Sequence, residues 1–144
     1  MRWIWAALAL QLIGYVFDIV WHALLRPGAE PATFGEMARH LASVHLPLYV
    51  GAAMVLISTT VELLRRRRRR PLGNALPIAV TGAVVSCGAE AWHALSHLRL
   101  DTHAAPVAGV LSVIGFLVVV GAMVVDVRAA ARRNADTARA RRAA

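Results

Sequence analysis

Four long apolar runs constrain this chain more than any other feature. They cover residues 3–25, 41–64, 75–98 and 104–127 of a 144-residue sequence. Each has at least 23 residues, and a helix needs about 20 to cross the hydrocarbon of a bilayer. A water-soluble domain of this size has no core large enough to cover four such segments on every side. In lipid a spanning segment must satisfy its own backbone hydrogen bonds, which leaves helices or a closed barrel. The alternation of apolar and polar residues that a barrel requires is missing. The sequence therefore predicts an all-α integral membrane protein. Residues 1–128 form a bundle of four transmembrane helices, and residues 129–144 form a basic tail that is a frayed helix or disordered.

The first run is too long for a signal-peptide core, contains Asp18, and is followed by Arg26, Pro27 and Gly28 without a small-residue cleavage site. It reads as a retained helix. Pro27 and Gly28 close it, and Pro71 and Gly73 close the second. Pro77 and Pro106 fall in first turns, where a missing N–H costs little. Pro47 fits less well. Either the second helix begins near it or the helix kinks there, which exposes carbonyl groups to a ligand.

Arginine placement sets direction. The chain has sixteen basic residues, all arginine, against eight acids, for a net charge of +8. Six arginines occupy 65–70 between the second and third runs, and Arg128, Arg132, Arg133, Arg139, Arg141 and Arg142 follow the fourth. By the positive-inside rule both groups are cytoplasmic, as are both termini. The expected location is the plasma (inner) membrane. Arginine without lysine, together with abundant alanine, points to a GC-rich bacterial genome. The same charge on an aromatic-rich face would suggest nucleic acid. Here it punctuates apolar runs, so nucleic acid is not an expected partner. The expected partners are the bilayer itself and a second copy or a larger membrane complex. The opposite side carries loops at about 26–40 and 99–103, the first with a short surface helix at 33–40. The single cysteine, Cys87, excludes an internal disulfide and reads as a small apolar residue.

Trp21-His22-Ala23-Leu24 recurs as Trp92-His93-Ala94-Leu95, each closing an odd-numbered helix. Val50-Gly51-Ala52-Ala53-Met54-Val55 resembles Val120-Gly121-Ala122-Met123-Val124 in the even-numbered ones. The bundle thus reads as two helical hairpins, entering the membrane from the same face as a parallel repeat. Gly14, Gly51, Gly82, Gly109, Gly115 and Gly121 are expected to permit close helix contacts. Trp3, Trp5, Trp21 and Trp92 fit interfacial belts.

On this topology all six histidines fall at the non-cytoplasmic end. The arginines set the topology and the histidines did not, so the convergence is independent of it. Asp18 and His22 are four apart, Glu90 and His93 three, and His93 and His97 four, so each set shares a helix face. Glu-x-x-His is a spacing by which helical bundles supply carboxylate and imidazole to di-metal centres. His40 and His45 are five apart, about 140° around a regular helix, and cannot both face one core. His45 is the better core candidate, and His40 sits nearer the headgroups. A lone interfacial histidine needs no ligand, and Asp18–His22 or Glu90–His93 can simply glue helices together. Buried together, carboxylates and imidazoles are functional candidates, because ionisable groups in lipid cost ~2.5–3.5 kcal/mol at a helix centre.

The expected function is that of a membrane metalloprotein. Its ligands are His22, His45, His93 and His97, with Glu90 and Asp18 as ligands or as acceptors that orient imidazole N–H groups, and with His40 and His103 in a second tier. Imidazole with carboxylate suits Zn, Fe or Cu(II), and the number of groups can fill a dinuclear centre. Such a site near the outer leaflet offers redox or hydrolytic chemistry on a lipid-soluble substrate. One alternative is a b-type haem held by two histidines of facing helices. Another is a metal or proton carrier, or an accessory subunit. Against transport, polar residues in the cytoplasmic halves are confined to Ser58, Thr59, Thr60, Thr81 and Ser86, and no continuous polar path is evident. Glu62 and Asp126 lie beside arginines and read as ion pairs at the cytoplasmic ends.

Overall fold

The computed structural model describes residues 1–27, 31–67, 74–100 and 105–143. Among these, four helical segments are long and apolar enough to cross a membrane: Arg2–Leu25, Phe34–Arg67, Ala75–Leu98 and Pro106–Arg142. No strand occurs among the described residues. The first segment is α1 (Arg2–Val20) continued by one wide π turn, Trp21–Leu25. The second joins α2 (Phe34–His40), a π turn at Leu41–His45, and α3 (Leu46–Arg67). α4 (Ala75–Leu98) and α5 (Ala105–Ala143) complete the bundle.

The expected surface helix at 33–40 is present as α2, but it is no separate element. Thr33 caps it by accepting the Glu36 N–H at 3.3 Å, and the Glu36 carboxylate reaches back to the Ala32 N–H at 3.1 Å, in the manner of a capping box. The chain then runs on into α3 without a break. α5 likewise continues unbroken through the tail to Ala143. At about 1.5 Å per residue, it is far longer than a bilayer is thick. Alanine and arginine are both strong helix formers, and no glycine or proline interrupts them there. α4 stops just past His97, where Leu100 takes a left-handed conformation (φ 58°) and donates its N–H to the His97 carbonyl at 2.9 Å.

Backbones touch at two glycine crossings. A Cβ on Gly14 would lie 2.5 Å from the Leu48 backbone, and one on Gly51 would lie 2.6 Å from the Gln11 backbone. α1 and α3 therefore meet with nothing between them. Gly115 does the same for α4 and α5, with Gly82 O at 2.6 Å from its virtual Cβ. Gly109 and Gly121 do not serve this purpose, since a Cβ on either meets nothing within 4 Å.

The arginine end of the bundle is filled by an apolar core that includes Ile4, Leu8, Val55, Leu63, Leu76, Phe116, Val119 and Met123. At its edge Arg66 donates Nε to Glu62 at 2.8 Å and Nη1 to both oxygens of Asp126 at 3.0 Å. The ion pairs expected for these acids thus share one arginine and tie α3 to α5. Midway, Gln11 donates to Ser86 Oγ at 2.8 Å and Tyr15 OH at 3.1 Å, and Ser112 Oγ lies 2.6 Å from Tyr15 OH and 3.2 Å from Ser86 Oγ. This ring of polar groups fastens α1, α4 and α5 together. The other end of the bundle is polar, and it holds the histidines.

Candidate metal centre

Five imidazoles meet at this end. Ring centroids lie 5.2 Å apart for His22–His40, 5.7 Å for His22–His45 and 5.0 Å for His40–His45. His45 is also 5.3 Å from His93 and 5.6 Å from His97, which are 4.6 Å from each other. His45 sits at the middle of the group and is 1 % exposed, whereas His22 is on the surface. His103 lies outside the described residues.

The grouping follows from local backbone geometry. α1 delivers His22 at its wide last turn, where the Arg26 N–H bonds to the Trp21 carbonyl at 2.8 Å, five residues back. Asp18 Oδ1 lies 3.4 Å from His22 Nε2 one turn on in the same segment, and the Gly14–Leu48 contact, about one turn below Asp18, holds α1 against α3 so that the same oxygen is 3.2 Å from His45 Nδ1. α4 is regular here, so His93 and His97 stack one turn apart with their Nε2 atoms at 2.8 Å. Glu90, one turn below, places Oε2 at 3.5 Å from His93 Nδ1.

His40 departs from the sequence reading. Its Nε2 is 3.2 Å from His45 Nε2, although five residues of α-helix would turn the two rings apart. The intervening Leu41–His45 turn is π-helical, and i→i+5 closure stacks the fifth residue over the first. Pro47 accounts for the wide turn. It has no N–H for the Ser43 carbonyl, and its ring crowds that oxygen. Helix runs from Phe34 through Pro47, so the second helix does not begin at the proline; the irregularity beside it is this π turn. The Ser43 hydroxyl bonds the Arg39 carbonyl at 2.8 Å.

The pairs share a pattern. In each of His40/His45 and His93/His97 the two Nε2 atoms face one another, while a carboxylate lies on the Nδ1 side of the more buried ring. A carboxylate behind one imidazole nitrogen fixes the tautomer and leaves the other nitrogen for a metal. Two imidazole nitrogens on a tetrahedral ion are about 3.3 Å apart, given a metal–nitrogen distance of ~2.0–2.1 Å. The 3.2 Å separation in His40/His45 is close to that value. One ring nitrogen from each of His22, His40 and His45 lies within 4.8 Å of the others, a group that can hold a metal ion.

Several polar atoms here are buried without a hydrogen-bond partner among the described residues: Asp18 Oδ1, His45 Nδ1, Tyr49 OH, both Glu90 oxygens, and Nδ1 of His93 and His97. The carboxylate–imidazole approaches are thus close but not aligned as hydrogen bonds. Unpartnered buried groups cost about 1–3 kcal/mol each, so a concentration of them in one place marks a site that a ligand would tighten. Cys87 is a free, half-buried thiol.

Tyr49 was not anticipated. It stacks on His45 at 5.8 Å and 15°, from a position four residues on in α3, and that spacing was the available signal. Gln11, Tyr15 and Ser112 likewise fall outside the set that the histidine and carboxylate spacing picks out. Gln11 is the only glutamine in the sequence, and an amide within an apolar run asks for a partner.

No protein-family model, no curated protein and no solved structure matches this chain.

Proposed function

We propose that the chain is an integral membrane protein that binds one transition-metal ion through His22, His40 and His45 near the outer leaflet of a bacterial inner membrane. The observation that carries this reading is the convergence of three imidazoles from two helices, with Asp18 behind them. Three nitrogen ligands leave a fourth position open, the arrangement of ions that act as Lewis acids or exchange electrons with a substrate. His22 is on the surface, so the group of imidazoles is reachable from outside the bundle. Neutral imidazoles with carboxylate behind them suit Zn, Fe or Cu(II). Rings packed edge to face at about one ring width leave no slot for a haem macrocycle between two of them, which weighs against the cytochrome alternative.

Membrane insertion is supported by the four apolar segments and by their surface. Large side chains such as Ile13, Ile19, Ile57, Val84 and Leu117 point outward, as lipid requires and water does not allow in such number. Orientation rests on the arginine-rich sequence at 65–70 and after α5's apolar stretch; Arg65, Arg66 and Arg67 close α3 at the end away from the histidines. The matching Trp-His-Ala-Leu segments both reach the histidine end, which supports an origin from two hairpins.

The test is metal content and visible absorbance of protein purified in detergent, beside His45→Ala. The expected result is at least one equivalent of a transition metal retained by wild type, one equivalent fewer in the variant, and no Soret band. Equal metal in His45→Ala, with both proteins folded by circular dichroism, overturns the proposal.

A further inference from the structure

We infer that His93 and His97, oriented by Glu90, hold a second ion beside the one at His22, His40 and His45, so that the centre takes two ions per chain. The inference rests on the reading of the first three histidines as a metal site, but it is carried by different atoms on a different helix.

The two imidazoles are one turn apart on regular α-helix, and their Nε2 atoms face each other at 2.8 Å. Histidines at i and i+4 on one helix face are an established way to chelate zinc. A small opening of these two side chains reaches the spacing of a tetrahedral pair. The alternative is one N–H···N hydrogen bond between neutral rings, and that leaves too much unexplained. Glu90 is 3 % exposed, and neither of its oxygens has a hydrogen-bond partner among the described residues. His93 Nδ1, 3.5 Å from Glu90 Oε2, is also buried without one, as is His97 Nδ1. A carboxylate this deep in an apolar bundle is costly. A cation bound through His93 is the partner that offsets that cost, because it draws the Nδ1–H toward the carboxylate. His45, 5.3 Å from His93 and 5.6 Å from His97, separates the two positions. They are therefore near neighbours, the condition under which two ions clamp one substrate or exchange electrons.

The test is titration of the full-length protein in detergent with Cu(II) as the probe, followed by metal analysis after desalting and by electron paramagnetic resonance. Wild type is expected to bind two equivalents. The resonance should grow with the first equivalent and broaden or vanish with the second, as neighbouring spins couple. The double variant His93→Ala/His97→Ala should bind one equivalent and keep an isolated-ion spectrum. His22→Ala/His40→Ala should also bind one, at the other position. Glu90→Gln should weaken the second equivalent by about 10–100-fold and leave the first unchanged. One equivalent in wild type, unaffected by His93→Ala/His97→Ala, overturns the second position and leaves the first standing. One equivalent that disappears in His93→Ala/His97→Ala and survives His22→Ala/His40→Ala overturns the first position. No bound copper in folded wild type overturns both.

Discussion

Gly14→Ala tests whether the helix crossing builds the metal site. The new methyl carbon would sit 2.5 Å from the Leu48 Cα and backbone nitrogen, whereas non-bonded carbons settle at about 3.5–4.0 Å. Neither partner is the flexible end of a side chain, so α1 and α3 must part by about 1 Å or more. Asp18 is one turn beyond Gly14 on α1, and Leu48 is three residues from His45 on α3. The displacement therefore acts on the 3.2 Å Asp18–His45 approach and on the His22–His45 pair. Loss of an orienting carboxylate alone lowers metal affinity about 10–100-fold, and a misplaced ligand adds to that. The expected fall is thus at least tenfold, or ~1.4 kcal/mol, read by competition with a chromophoric chelator in detergent. Gly109→Ala is the control. Its Cβ meets open space, so affinity should not change and helix stability should rise by up to ~1 kcal/mol. Wild-type affinity in a folded Gly14→Ala protein would refute the claim that this crossing positions the ligands.

The other predictions concern the wide turn, the far end of the bundle and the proton balance. Deleting the exposed Ala42 leaves His40 and His45 four apart on regular helix, still on one face, so metal binding should survive. Inserting one alanine after Ala42 sets them six apart, ~240° around a regular helix, and chelator competition should show binding weakened. Arg66→Ala strips Glu62 and Asp126 of their shared partner. Thermal unfolding in detergent should register a loss of ~1–3 kcal/mol, moderated by partial exposure, with metal affinity unchanged because the arginine is at the opposite end. Acid should release the metal, because protons compete with the ion for the imidazole nitrogens. Binding that does not weaken at all from neutral to strongly acid pH, measured after desalting of folded protein, would argue against imidazole ligation.

The spans and the end at which the histidines gather were legible in the sequence. Apolar length alone fixes a membrane-compatible helix, but not where the helix ends: the second segment starts at Phe34 and the fourth runs on to Ala143, well beyond the apolar stretches at 41–64 and 104–127. The i, i+3 and i, i+4 spacings likewise put Glu90 with His93 and His97, since α4 is regular throughout. His40 was not placed correctly, because the 100° step assumes an α-helix and the Leu41–His45 turn is not one. Pro47 carried the signal, but a proline announces a distortion without saying which kind. Glycines showed the same limit. Gly14, Gly51, Gly82 and Gly115 lie at backbone contacts, while Gly109 and Gly121 face outward, and composition does not reveal the face. The Gln11–Tyr15–Ser86–Ser112 ring escaped notice because each member is a single uncharged polar residue whose partners lie on other helices.

X-ray absorption fine structure of zinc-loaded protein in detergent is the most direct test of the central claim. Imidazole coordination predicts a first shell of nitrogen at ~2.0–2.1 Å, with outer-shell scattering from two to three rings per zinc, and fewer rings in His45→Ala. A first shell without imidazole scattering, or zinc that washes off the folded wild-type protein, would contradict it.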